Sequence, residues 1–443
     1  MKPFRQQRRE ALRAVARSRS VLAICGDTQV GLWMLRSLAR GGLTVYAVCN
    51  SAQGQAAHSR CCSGAWVIDR GPEAPPAVEQ VIALARELEV GSVMPISETL
   101  HAGLIANRER LEPEIHVFSP AREAFDKATD KDYLHRLCID LGIPVAHGTT
   151  LDKLIASGGN GREEHDAVDN AQSRFKGCTA EVPPPTTLIF PVVLRTRRQI
   201  LKDGKAPWKA AYARDQGQLD KLCKSVNGFA DNVLVQEYHP GAEAHVQVLM
   251  HRGEAFMLGE YIGEQHMPLA GGVTVQRVTC RHEPVVRDAV KLLQAIEWEG
   301  IAAAQFHYDR ASDRYIFLEI NPRFCGGLPT IIMGGFDAPF LLWQSHFEPD
   351  KMKTKPFRLG LRTRILGGCA NWTLAMMRRD ELPPGQKHVS KIRALASFAW
   401  NSGPWTRDDS FALTDFKPFF VDVKQMVASR VLKSGKRDLL DLS

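Results

Sequence analysis

No apolar run in this 443-residue chain approaches the roughly 18 residues that a membrane-crossing helix needs, so no membrane span is expected. Zinc-finger spacing is equally missing. The ten cysteines are scattered, mostly inside apolar runs and without a secretory signal, and Cys61-Cys62 has neither metal-ligand nor redox-motif spacing. Reduced core thiols in a cytoplasmic protein are the expectation. Acids are scarce at the start: residues 1–20 are rich in arginine, hold one acid, Glu10, and read as a frayed basic extension rather than a transit peptide or a surface-lying helix. The net charge of +8 permits a nucleic-acid partner, but no aromatic-basic module accompanies it, and anionic small substrates account for it equally well. The three-glycine turn of a dinucleotide site is absent too. Four residues separate Gly26 from Gly31, and Asn50, not an acid, ends the next strand. No Ser-His or Cys-His pair falls in a recognisable nucleophile motif.

What is present is ordinary in bulk, 44% hydrophobic and 24% charged, and long enough for two or three domains. From Val21, short apolar strands (21–25, 44–49, 66–69, 92–96, 115–118) alternate with helices ending near 40, 89 and 110. That alternation predicts a small parallel α/β sheet. Ser97-Glu98-Thr99 follows a strand and opens a helix; it reads as a plain N-cap, the alternative being helix-terminal N–H groups that meet a ligand carboxylate. Residues 121–141 read as one amphipathic helix stopped by Gly142-Ile143-Pro144. The polar, Gly- and Pro-rich stretch 151–187 reads as an exposed insertion. A buried strand over 188–194 then delivers Arg195, and 196–208 is a cationic loop suited to covering a polyphosphate, or else a solvated charge run. Further strands are expected at 231–238, 245–250, 255–262 and 273–279, with a helix over 283–298.

The segment 300–323 organises the rest. Apolar runs at 301–308 and 315–320 flank a polar turn, so a hairpin symmetric about Ser312 sets Gln305 opposite Glu319. Strand alternation puts Gln305, Glu319 and Asn321 on one face, with Arg323 just beyond. Three oxygen donors beside a guanidinium suit a hard cation that carries phosphates.

The order of these elements resembles the ATP-grasp superfamily over about 21–345. Asp130-Lys131 with Leu141-Gly142-Ile143-Pro144, Phe190-Pro191-Val192-Val193-Leu194-Arg195, Val235-Gln236-Glu237-Tyr238 and the Gln305/Glu319/Asn321/Arg323 set carry the likeness, in sequence order. It implies an α/β N-terminal parallel-sheet domain (21–120) and then an α+β ATP-grasp fold (121–345) of two subdomains that clasp ATP; the region 346–443 is expected to be a C-terminal cap, in preference to a partner or membrane surface. It implies ATP and Mg²⁺, with Mn²⁺ the alternative ion. Lys131, Arg195, Lys209, Gln236, Glu237, Tyr238 and Glu243 would hold the nucleotide; Gln305, Glu319 and Asn321 the metal; Arg323 and Lys209 the transferred phosphoryl group. Three departures from the family pattern stand out: Gln305 where a Glu is commoner, Arg195 where a Lys is commoner, and a lid with one glycine, Gly204.

The activity implied is that of a ligase joining a small-molecule carboxylate to an amine through an acyl phosphate, with no nucleic-acid partner and a homodimer left open. A catalytically silent ATP-binding regulator and a carbamoyl-phosphate-type phosphoryl transferase are the alternatives.

Overall fold

The computed structural model describes residues 17–68, 75–156, 188–196, 210–225, 230–269 and 271–433. Its first sheet is wholly parallel and joins β1 (Ser20–Ile24), β2 (Thr44–Cys49), β3 (Gly64–Val67), β4 (Ser92–Met94) and β5 (His116–Val117) in the order β3-β2-β1-β4-β5. Helices cover both faces, so the central strand β1 is buried throughout and reads as an unbroken apolar run. The helix Gln29–Arg40 begins at Thr28, whose Oγ1 accepts from the Gly31 amide at 3.1 Å. Gly31 is where this helix meets the strand end: a Cβ there would lie 2.0 Å from the Cys25 carbonyl oxygen. That glycine serves close packing.

A four-stranded antiparallel sheet follows, made of β6 (Gly148–Thr150), β7 (Val192–Thr196), β8 (Ala210–Ala213) and β9 (Val233–Glu237) in the order β6-β9-β7-β8. The largest sheet takes β10 (Ala242–His251), β11 (Glu254–Met267), β12 (Val273–Cys280), β13 (Gly300–Asp309), β14 (Arg314–Asn321), β15 (Arg362–Arg364) and β16 (Thr406–Asp408), in the order β14-β13-β10-β11-β12-β15-β16. Its back face packs the helix Glu283–Ala295 through Val246, Ala304 and Leu292. Its front face shares a core with the first domain: Leu249, Ala303 and Phe336 pack in one cluster with Trp33 and Leu38. An α/β domain followed by an α+β pair of sheets is the expected architecture.

Three boundaries differ from expectation. Residues 121–141 form two helices, Arg122–Thr129 and Lys131–Asp140, because Asp130 leaves helical geometry to cap the second; its Oδ1 accepts from the amides of Asp132 (3.0 Å) and Tyr133 (3.1 Å). The expected insertion begins later, since 151–156 is a helix whose Leu151 and Leu154 pack with Leu188 and Phe190; the remainder, 157–187, lies outside the described residues. The C-terminal region is more than a cap. β15 and β16 extend the largest sheet, and 409–422 forms a seam against the first domain. There Arg36 pairs with Asp415 at 2.8 Å, Arg277 with Asp409 at 2.5 Å, and the Trp33 indole N–H donates to the Asp409 carbonyl. These partners lie 132 to 379 residues apart, a separation that no local pattern reports.

Candidate active site

The hairpin of β13 and β14 opposes Gln305 to Glu319 and Ala303 to Asn321, as its symmetry predicts. The route there is less simple. At the turn the register pairs Asp309 with Arg314, and an irregularity between Gln305 and Phe306 shifts it by one residue. Without that shift Gln305 would face Leu318. The shift keeps Gln305, Glu319 and Asn321 on the front face, and β10 adds His245 beside Gln305.

Glu319 is the hub. Its Oε2 lies 3.0 Å from Lys131 Nζ and 3.0 Å from Arg195 Nη2. These cations come from the start of the Lys131–Asp140 helix and from β7, so one carboxylate draws together a helix and strands of two different sheets. Burial by itself would raise the Glu319 pKa; Lys131 and Arg195, with Arg323 behind them, hold it at about 2. Lys131 moves the other way. Burial, and then the neighbouring Arg195 charge, lower its pKa although Glu319 opposes them. Asn321 Nδ2 reaches Glu319 Oε1 at 3.5 Å, and Arg323 Nη2 donates to Asn321 Oδ1 at 3.0 Å. Local charge is therefore positive, with Lys131, Arg195 and Arg323 against the carboxylates of Glu319 and, behind Arg323, Glu98.

Glu98 closes the far side, its Oε1 3.8 Å from Arg323 Nε, and it is one-eighth exposed. The N-cap reading of Ser97 holds, since its Oγ accepts from the Leu100 amide at 3.3 Å. The alternative, a ligand carboxylate at this helix start, meets the Glu98 carboxylate already there. Sequence reasoning missed Glu98 as part of the site. A signal existed: it follows β4, next to β1 where the strand order reverses, and ligand crevices of parallel sheets form beyond such strand ends.

Farther along β10 on the same face, Glu243 sits in a polar nest. Its Oε2 accepts from Thr274 Oγ1 at 3.2 Å and lies 3.4 Å from His245 Nε2 and 3.5 Å from His266 Nε2. Burial would raise its pKa, but His266 and His245 take it well below the carboxylate range. Spacing alone did not report this nest, because Thr274 and His266 arrive on other strands. His245 stacks on Tyr261 with ring centroids 4.8 Å apart, and His307 Nδ1 meets the His239 carbonyl at 3.1 Å, so both histidines have structural anchors. Gln236 and Glu237 end β9 in the smaller sheet, and Tyr238 follows it. The Glu237 and Tyr238 amides donate to the carbonyls of His147 and Pro191, each at 2.9 Å, so neither amide is open to a ligand. Lys209 and nearly all of the 196–208 lid lie outside the described residues.

The donor types here are those that Mg²⁺ takes, although Glu319 Oε2 is engaged by Lys131 and Arg195, and Asn321 Oδ1 by Arg323, and an ion would have to displace them. Gln305, Glu319 and Asn321 offer oxygens on one face, and the single carboxylate is held ionised. Among the described residues, one other group combines ligand types, Glu260 with Cys280 and His282. There both Glu260 oxygens are taken at 2.6 Å by the His282 amide and Nδ1, which makes a tie at the start of the Glu283–Ala295 helix.

A parallel domain joined to an antiparallel and a mixed sheet, with charge converging between them, is the ATP-grasp fold. Residues 229–368 match the family described as an ATP-grasp in the biosynthetic pathway with Ter operon. The fold is shared with biotin carboxylase from Campylobacter jejuni, solved as a beta-gamma-ATP complex (TM-score 0.55, 16% identity, 78% of this chain and 74% of that one). It is shared with the biotin carboxylase domain of Hydrogenobacter thermophilus 2-oxoglutarate carboxylase (0.54, 15%, 77% and 72%). It also matches an ADP complex of N5-carboxyaminoimidazole ribonucleotide synthetase (0.52, 14%, 86% and 96%). No curated protein sequence matches the chain. Among the described residues no helix is long and apolar enough to cross a membrane.

Proposed function

We propose that this chain is an ATP-dependent ligase that activates a carboxylate as an acyl phosphate for attack by an amine, releasing ADP and phosphate. The observation that carries the reading is Glu319 held between Lys131 and Arg195, with Asn321 and Arg323 alongside. A surplus of cations around one ionised carboxylate is matched to a polyphosphate, whose charge would neutralise it.

The chemistry needs positioning and charge rather than a protein nucleophile. The bond from the γ-phosphorus to ADP breaks as a substrate carboxylate oxygen bonds to that phosphorus. The amine then bonds to the acyl carbon, phosphate leaves, and the nitrogen gives up a proton. Arg195, Lys131 and Arg323 gather phosphate charge, and Lys209 is assigned the same duty from its sequence position. Gln305, Glu319 and Asn321 would hold Mg²⁺, which supplies charge neutralisation at the phosphates; the Hydrogenobacter domain was solved with MgADP. Glu237, Tyr238 and Glu243 are assigned to the nucleoside. That same relative was solved as a dimer, and a homodimer is the assembly expected here, read by light scattering.

The test is Mg²⁺-dependent ADP release over a panel of carboxylates paired with amines. With the active pair, ¹⁸O from the labelled carboxylate must appear in phosphate. ATP binding without ADP release over the whole panel supports a silent regulator instead, and label transfer from bicarbonate alone supports the carbamoyl-phosphate type.

A further inference from the structure

The helix Lys391–Asn401 is turned the wrong way round for a core helix. Ile392, Leu395, Ala396, Ala399 and Trp400 form a stripe at i, i+3, i+4, i+7 and i+8, the spacing of a buried face, yet all five are exposed. Ile392 is 81% exposed and Trp400 66%, while the inward positions are Ala394 and Asn401. Trp405, half exposed, lies against Trp400 with ring centroids 4.6 Å apart. The following segment repeats the pattern. Phe411, Leu413, Phe416 and Phe420 are exposed, Leu413 by 84%, and the rings of Phe416 and Phe420 sit 6.1 Å apart.

Charge over the same stretch has one sign. Between 385 and 426 the exposed charged side chains are Lys387, Lys391, Arg393, Arg407, Lys417 and Lys424. The four acids there, Asp408, Asp409, Asp415 and Asp422, turn inward and are tied in the seam by groups such as Arg277, Arg36 and Gln55. Tryptophan, phenylalanine and leucine among lysine and arginine, with no exposed acid, is the composition that settles at a lipid headgroup boundary.

We propose that the exposed face of the Lys391–Asn401 helix, with Trp405, docks the enzyme on an anionic lipid surface. The Lys391–Asn401 helix lies in the plane of the interface, Trp400 and Trp405 sit at headgroup depth, and the cations pair with lipid phosphates. An acidic protein would satisfy the cations, but it gives no reason for two separate exposed aromatic clusters.

Flotation of the full chain with vesicles of phosphatidylcholine alone, or with 30% phosphatidylglycerol, tests this. Binding is expected to the anionic vesicles, and weakened by 0.5 M NaCl. Lys391→Glu/Arg393→Glu and Trp400→Ser/Trp405→Ser should each reduce it by about tenfold or more, at the scale of one lysine or arginine each contributing near the surface. All four residues are exposed or half exposed, so far-UV circular dichroism should be unchanged, and ADP release with soluble substrates should persist. Absence of binding to anionic vesicles overturns the proposal, as does binding that both double variants leave intact. A solution dimer abolished by Trp400→Ser/Trp405→Ser, without vesicle binding, would assign the face to a second copy instead.

Discussion

Two buried ionic clusters in this protein use the same residue types to opposite ends. In the C-terminal seam, Arg277 and Asp409 are 1% and 0% exposed, Arg36 and Asp415 4% and 3%, and each guanidinium meets one carboxylate. Further donors go to backbone: Arg36 Nη2 to the carbonyls of Ser410 (3.0 Å) and Asp415 (2.7 Å), Arg277 Nη2 to that of Thr274 (2.6 Å). At Glu319 the balance is different. One carboxylate faces Lys131 and Arg195, both remain about one-seventh exposed, and Arg323 adds a third cation. Balanced charge closed off from water holds two parts of a chain together. Surplus positive charge beside an open side is the arrangement that an anionic ligand neutralises.

Breaking the seam should have the largest effect. Arg277→Met leaves Asp409 buried without its partner and is expected to cost about 3–5 kcal/mol in urea unfolding, whereas Arg277→Met/Asp409→Leu recovers most of it. A single variant no worse than a surface change would erase the distinction. Next in size, Glu319→Gln should lower ADP release by about 100-fold or more, the scale of losing a group that organises phosphate charge. Lys131→Met sharpens the contrast. Glu319 keeps Arg195, so stability should shift by under about 1 kcal/mol while ADP release falls about tenfold or more. A large stability loss from Lys131→Met would place this cluster with the seam.

The clusters should also differ in the sign of their pH dependence. Glu319 is depressed to about 2 from an ordinary 4.5, so its contribution is complete above 4.5 and fades as pH falls toward 2. Asp408, beside the seam, is raised from 3.8 to about 6, first by burial and then by the Asp409 charge. Its native form holds the proton more tightly than the unfolded chain does, so stability falls as pH rises from 3.8 through about 6. Asp408→Asn should flatten that part of the pH–stability curve. An unchanged slope would remove Asp408 from the account. The smallest effect is expected at the exposed pair of Arg110 and Glu79, where Glu79→Gln should leave the thermal midpoint unaltered despite contacts of 2.5 and 2.7 Å.

Much of the β13–β14 hairpin was legible because strand periodicity and a polar turn are local features. Gln305 did fall opposite Glu319, although a register shift stands where simple symmetry was assumed. The break at Asp130 was legible in principle, as an Asp directly before the polar Lys131-Asp132 helix start, but the apolar stripe of 121–141 continued across it. Helix Lys391–Asn401 escaped notice for a related reason: sequence gives its amphipathic stripe but not the direction in which the stripe points. Glu98 and the Thr274–His266 nest around Glu243 were hidden because their neighbours come from distant strands.

By itself, the sequence determined the alternation of strands and helices, the hairpin that sets Gln305, Glu319 and Asn321 on one face, and the order of the ATP-grasp elements. Those depend on propensity and periodicity, which act over a few residues. Tertiary structure alone decided which cations reach Glu319, which acids close the seam and which apolar stripe remains outside. Each is a matter of desolvation, and the desolvation of a side chain depends on whatever distant part of the chain comes to cover it.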